Sequence, residues 1–279
     1  MTRLAERVAV WPVLAASVRR SFLEQTSELT PLLLQLIGMG MGLLSQAFLG
    51  RLVDAAPNSK LGSYTGHYAT FLLLGMALLD LQNAVVGGLA RRIREAQLTG
   101  SLEGLLATPT PTPVVLLALA LPDVIGALLR MLLYALVGRL LFGMQFDAIN
   151  VLGVAVVLAA ALAGFAAFTL VGAALTMALR RADPLNLLLA ATSMIAGGVF
   201  YPRGILPHWL ALLGNLLPIA PALDGLRAAI VHSAGPLAPS VTGPLARLGL
   251  LVLVVGPLGA WLFAKMVARA KHEGSLTAF

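Results

Sequence analysis

Residues 91–113 read RRIREAQLTGSLEGLLATPTPTP. This is the longest clearly amphipathic, charged stretch in a chain otherwise made mostly of apolar runs, so what surrounds it decides the fold. Leu98, Leu102, Leu105 and Leu106 fall at i, i+4, i+7 and i+8 and form one stripe of a short helix. Pro109, Pro111 and Pro113 stop that helix, because each removes a backbone donor and pushes the preceding residue toward extended geometry. Amphipathicity alone leaves two readings: a helix resting on a lipid surface, or a piece tied to the next apolar run that passes a push from a soluble partner.

Outward from this stretch the composition settles the class. Hydrophobic residues make up 59% of the chain and charged residues 11%, a surface that polar groups could not cover in water. The expectation is an all-α integral membrane protein. A span needs about 20 apolar residues, so 279 residues hold roughly six helices and short loops. The net charge of +7 fits basic cytoplasmic loops. The basic residues do not interleave with aromatics, so no nucleic-acid partner is expected. The absence of Cys excludes disulfides, thiolate metal sites and a Cys nucleophile.

The six spans are expected at residues 31–53, 67–90, 114–142, 149–179, 185–200 and 244–267. Residues 1–30 form a separate unit carrying Arg3, Arg7, Arg19 and Arg20 around an apolar run too short to span and interrupted by Pro12. A signal peptide is the rival reading. A cytoplasmic interfacial helix is preferred because two arginines follow the run and a full span comes next. Gly38, Gly40 and Gly42 in the first span offer a helix-packing face, or reflect the ordinary frequency of Gly in membrane helices. Between the fifth and sixth spans Pro202, Pro207, Pro218 and Pro221 forbid one continuous helix. Two short helices, 207–217 and 222–231, fit better as a re-entrant hairpin, which needs protein or water around its backbone.

Orientation follows from the basic residues. With the N-terminus inside, the inner pieces hold Arg3, Arg7, Arg19, Arg20, Arg91, Arg92, Arg94, Arg180, Arg181, Lys265, Arg269 and Lys271, and the outer loops hold Lys60, Arg203 and Arg227. This bias puts both termini and the 91–113 segment in the cytoplasm and the hairpin outside. The location expected is the inner (plasma) membrane, with multiple passes.

Ionisable groups within spans are costly and are functional candidates by default. Asp80, Gln82 and Asn83 lie near the middle of the second span; Asp123 and Arg130 share a face of the third. Counted from the inner span ends, Asp80 and Asp123 fall at similar depth, with Arg130 about 10 Å further out. They either line a substrate pathway or pair Arg130 with a carboxylate to hold two helices together, the second being preferred. Phe200, Tyr201, Asp224 and Arg227 are candidates for an extracytoplasmic gate, although Asp224 and Arg227, three apart on a helix, are expected to pair locally as a surface pair. The four His are scattered without metal spacing, and no catalytic motif supports an intramembrane enzyme.

Two motifs add a resemblance. Glu95 followed by Gly100-Ser101-Leu102-Glu103-Gly104-Leu105-Leu106-Ala107-Thr108-Pro109 resembles the coupling-helix signature of the type-2 ABC transporter permeases, exporter membrane subunits that typically read Glu, then Gly-Thr-Leu-Glu, then Leu-Leu and Thr-Pro. Gly197-Gly198-Val199-Phe200-Tyr201-Pro202, then Leu206-Pro207, Trp209-Leu210, Leu217-Pro218 and residues 222–227, ALDGLR, resemble the family's fifth span and the hairpin after it. Ser101 stands for the usual Thr and Asp224 for the usual Glu. The resemblance runs from about Tyr68 to the C-terminus; the first third matches in layout only.

The resemblance implies a six-helix permease domain over residues 31–279 that carries no cofactor. ATP and Mg would sit on a separate nucleotide-binding subunit, whose groove receives a coupling helix formed by Glu95, Thr99, Gly100, Ser101, Leu102, Glu103, Leu105 and Leu106. A second copy or a related permease would complete the pathway, with membrane lipids around it. Independently, the chain contains no G-x-x-x-x-G-K-[ST], and Lys60, Lys265 and Lys271 lie in no glycine-rich loop, so ATP hydrolysis is expected elsewhere. The low aromatic content, 6%, points to an amphipathic or lipid-like substrate such as a drug or lipid, since a sugar conduit would offer aromatic platforms. A polysaccharide or lipid-linked glycan exporter is the alternative within the class; a membrane-embedded enzyme or a scaffolding subunit is the alternative outside it.

Overall fold

The computed structural model describes residues 10–27, 29–54, 68–98, 100, 112–142, 149–179 and 184–272. The regular structure among them is entirely helical: α1 (Val10–Ser27), α2 (Leu29–Asp54), α3 (Tyr68–Leu98), α4 (Thr112–Phe142), α5 (Val151–Leu179), α6 (Pro184–Ala196), α7 (His208–Asn215), α8 (Ile219–Val231) and α9 (Pro239–His272), with one 3-10 turn at Arg203–Ile205. The expected loops around 55–67 and 180–183 and both chain ends lie outside the described residues.

Among the described residues four stretches are long and apolar enough to cross a bilayer: Tyr68–Ala96, Val114–Leu140, Val151–Ala178 and Pro239–Arg269. Their boundaries follow the sequence reading closely at α4 and α5, where Pro, Gly and polar residues bracket the apolar runs. α2 is a 26-residue helix at the place expected for the first span. α1 forms inside the expected interfacial segment, and Pro12 does not interrupt it because it lies in the first turn, where no intrahelical donor is lost. The Ser17 hydroxyl donates to the Ala118 carbonyl of α4.

One expectation changes. The fifth span, read as 185–200, is a helix of only 13 residues ending at Ala196, about 20 Å by the helical rise and short of a roughly 30 Å hydrocarbon core. It stops because the chain turns at Gly198, whose φ of +81° is a left-handed conformation that glycine adopts without a Cβ clash. Around Gly38, Gly40 and Gly42 no atom of the described residues stands within 4 Å of where a Cβ would be placed.

α3 is the axis of the assembly. It packs against α2, α4, α5, α6 and α8, while α9 lies along α5 and α8, and α1 covers α4. The largest core joins Leu78, Leu81 and Val86 of α3 to Ala127 of α4, Phe165 of α5 and Leu223 of α8. In place of one continuous helix the proline-rich stretch forms two short ones, α7 and α8, bent by 88° at their junction, with Pro207 and Pro218 at the two N-caps. Nearly all of α8 is buried, from Ile219 to Ile230 with only Asp224 partly open. Protein thus surrounds α8, whereas most of α7 and Leu216 at the junction are exposed.

Candidate functional site

The intramembrane charges form a seam between α3 and α4. Arg130 Nε donates to Asp80 Oδ2 at 2.7 Å and a terminal nitrogen of the same guanidinium approaches Asp80 Oδ1 at 3.4 Å. Toward the other end of α3, Arg92 Nε and a terminal nitrogen donate to the two oxygens of Asp123 at 2.9 and 3.0 Å. Arg91 stands 3.5 Å from Asp123 Oδ2. Two clasps therefore join antiparallel helices, and bidentate guanidinium–carboxylate geometry fixes direction as well as charge.

This arrangement corrects the depths read from sequence. Asp80 and Asp123 are not level: Asp80 pairs with Arg130, and Asp123 pairs with Arg92, twelve residues or about 18 Å further along α3. The count from the inner ends failed because α3 does not stop at Ala90 but continues to Leu98, which sets Asp80 about 12 Å deeper from that end. Arg91 and Arg92, read only as inner-face charge, are members of the seam.

Two adjacent glycines let the wall close. A Cβ on Gly88 would stand 2.8 Å from Asp123 Oδ2, and one on Gly87 would stand 2.6 Å from the Asn186 amide nitrogen. Asp123 and Asn186 thus lie almost against the α3 backbone. Between α3, α4 and the start of α6 remains a cavity of about 370 Å³, lined by Asp80, Asn83, Arg91, Asp123, Arg130 and Asn186 among others. Asn83 Oδ1 is buried there without a hydrogen-bond partner among the described residues. Gln82 does not face the cavity. It is fully buried and exchanges hydrogen bonds with the Ser193 hydroxyl of α6 at 3.1 and 3.2 Å, tying two helices together.

On the opposite side of the α3–α4 pair lies an apolar slot of about 520 Å³ between α4 and the α5–α9 pair, floored by Val85 and Leu89 of α3. The Thr169 hydroxyl in its wall donates to the carbonyls of Val85 and Phe165, so the one polar group singled out there is satisfied within the protein.

The expected outer-gate residues separate into two contacts. Asp224 does not pair with Arg227: its carboxylate accepts from Arg203 at 2.8 Å, and Arg203 also donates to the Asn215 side chain. Arg227 turns the other way, is 3% exposed, lies 3.5 Å over the Phe71 ring and donates to the Phe71 carbonyl at 3.2 Å. Neighbouring positions on a helix can pair, but on a buried helix the surrounding elements supply the stronger partners. Tyr68 stacks on Phe71 at 5.7 Å and donates its hydroxyl to the Phe200 carbonyl at 2.6 Å. Tyr201 is exposed.

Of the expected coupling residues, Glu95 sits exposed near the end of α3, whereas Thr99, Ser101, Leu102, Glu103, Leu105 and Leu106 lie outside the described residues. Gly100 has φ +68°, the left-handed conformation with which glycine ends helices. Leu98 is the last residue of α3, and the rest of the stripe read through Leu98, Leu102, Leu105 and Leu106 lies outside the described residues.

An all-helical chain with several bilayer-length apolar helices and a charged seam within them is a multi-pass membrane protein. Comparison with protein families then supplies the kind: the model of the ABC-2 type transporter matches residues 14–231. The chain belongs to that family and is the permease component of an ABC transporter, a transport component normally driven by an ATPase subunit. Comparison with curated proteins gives no match.

Proposed function

We propose that this chain is the permease of an ATP-driven exporter that moves an amphipathic, lipid-like molecule out of the cytoplasm or the inner leaflet. ATP and Mg bind a separate nucleotide-binding subunit. That subunit engages the segment following α3, from Thr99 to Ala107, and two permease chains, identical or related, enclose the pathway. The segment joins α3 to α4, and the Asp80–Arg130 and Arg92–Asp123 clasps hold those helices together, so a push on the segment moves both as a unit.

The observation that carries the substrate class is the pair of environments flanking α3 and α4: a charged cavity on one side and an almost wholly apolar slot on the other. A molecule with one polar and one apolar end finds both within the same permease. The test is reconstitution of the full chain with its ATPase in vesicles, following ATP-dependent movement of a short-chain fluorescent lipid. Movement dependent on ATP supports the reading. Transport of a soluble glycan but not of the lipid would overturn the substrate class.

A further inference from the structure

We infer that the cavity between α3, α4 and α6 binds an anionic group of the phosphate-ester type, with Arg91 as the cation that receives it. This deepens the permease reading and rests on it only for the step from binding to transport.

The charge census around the cavity is the first ground. Among the described residues, Arg91 and Arg130 of the lining and Arg92 beside it meet two carboxylates, Asp80 and Asp123. Each carboxylate already has a guanidinium that engages both of its oxygens: Arg130 on Asp80 and Arg92 on Asp123. One positive charge remains, and geometry identifies it. Arg91 touches Asp123 at 3.5 Å, beyond the ordinary range of an N–H···O hydrogen bond, on an oxygen that Arg92 occupies at 2.9 Å. Its side chain is 59% exposed and forms part of the cavity wall. A cation in excess on the wall of a cavity between membrane-length helices is stabilised by an anion, and a guanidinium fork matches phosphate oxygens.

The second ground is the wall itself. Asn83 lines the cavity together with Arg91 and Arg130, and its side-chain amide carries N–H donors of the kind that phosphate oxygens accept. Gly87 and Gly88 keep Asn186 and Asp123 drawn back against α3, and the volume left, about 370 Å³, lies in the range of small-ligand sites, about 300–1,000 Å³. The same chemistry is carried by an anionic lipid headgroup and by free phosphate.

The experiment measures equilibrium binding of a fluorescent short-chain phosphatidylglycerol to the purified full chain in phosphatidylcholine nanodiscs, without ATPase or nucleotide. Competitors are dioctanoyl phosphatidylglycerol, dioctanoyl phosphatidylcholine and inorganic phosphate. The anionic lipid should compete at least about tenfold better than the zwitterionic one, and Arg91→Gln should weaken binding by a similar factor, the loss of one charge-assisted contact. Arg91→Lys, which keeps the charge, should retain most of the affinity, and Arg139→Gln, outside the cavity, should change nothing. Asn83→Leu, which fills the cavity and leaves every charge in place, should also weaken binding and serves if Arg91→Gln does not fold. Competition by phosphate alone assigns the site to a free anion; competition by the anionic lipid but not phosphate assigns it to a headgroup. Equal competition by both lipids with none by phosphate, or wild-type affinity in both Arg91→Gln and Asn83→Leu, overturns the proposal. Because no ATPase is present, failed binding beside intact ATP-driven transport removes the anion site alone, and intact binding without ATP-driven transport removes the permease reading alone.

Discussion

Arg130 of α4 and Asp80 of α3 meet at 2.7 Å inside the membrane-length part of both helices. Neither group would be tolerated there alone, so the pair is expected to contribute through mutual dependence. Asp80→Asn should lower stability by about 1.5–3 kcal/mol, the scale of a charge-assisted hydrogen bond whose partner is left behind. Reversing the pair, Asp80→Arg with Arg130→Asp, should recover much of the loss in thermal unfolding of the purified protein. No recovery in the reversed pair would mean that the two residues act separately.

The glycines facing the seam make a sharper case. Gly88→Val should force Asp123 away from Arg92, since even a Cβ would stand 2.8 Å from its oxygen. Overpacking of this kind costs about 1–3 kcal/mol, seen as a fall in Tm and in folded yield. Gly38→Val, whose Cβ meets no atom of the described residues within 4 Å, is the matched control and should leave the thermal stability of the isolated chain nearly unchanged.

At the other end of α3, Arg227 and Phe71 should be energetically coupled. A desolvated guanidinium over an aromatic face is worth about 2 kcal/mol. A double-mutant cycle with Phe71→Leu and Arg227→Met reads that term directly. A coupling indistinguishable from zero would mean that the Phe71 ring does not contribute to holding Arg227.

The segment after Gly100 is expected to contact the ATPase. Glu103→Ala or Leu102→Ala should dissociate the ATPase, or reduce its transport-coupled activity severalfold, without changing the permease's Tm. Co-purification and coupled transport are the measurements, and wild-type assembly and transport in both variants would sink the assignment.

Topology has its own test. Ser101→Cys and Ile205→Cys, in a chain that otherwise lacks cysteine, should be labelled by a membrane-impermeant reagent from opposite sides of sealed vesicles. Labelling from the same side refutes the orientation inferred from the basic residues.

The helices were legible wherever apolar runs end in strong punctuation. α4 and α5 start and stop within about two residues of the sequence reading because Pro113 and the polar residues near 145–150 mark their ends. α3 was misjudged for the opposite reason. Arg91, Arg92 and Arg94 look like a membrane edge, yet the helix runs on, and Asp123 accepts two of those charges. Side-chain partners were harder. Nothing local tells that Asp224 faces Arg203 rather than Arg227, since that choice depends on how α7 folds back before α8. Asn186 and Ser193 are isolated polar residues in an apolar run, a visible signal, but the run does not say that one faces the charged cavity and the other Gln82.

The burial of α8 also has a consequence for synthesis. This 13-residue helix is enclosed by α3, α5 and α9, and α9 leaves the ribosome after it. Until α9 arrives, Val241 and Leu248 are missing from the cores that cover α8, and a short helix carrying Arg227 has no complete site in lipid or water. The site of α8 is therefore complete only once α9 has been made, which makes the arrival of α9 the step that fixes α8 in place. Chains truncated before Pro239 should be recognised as unfinished by membrane quality control, even though every residue of the charged cavity has already been made.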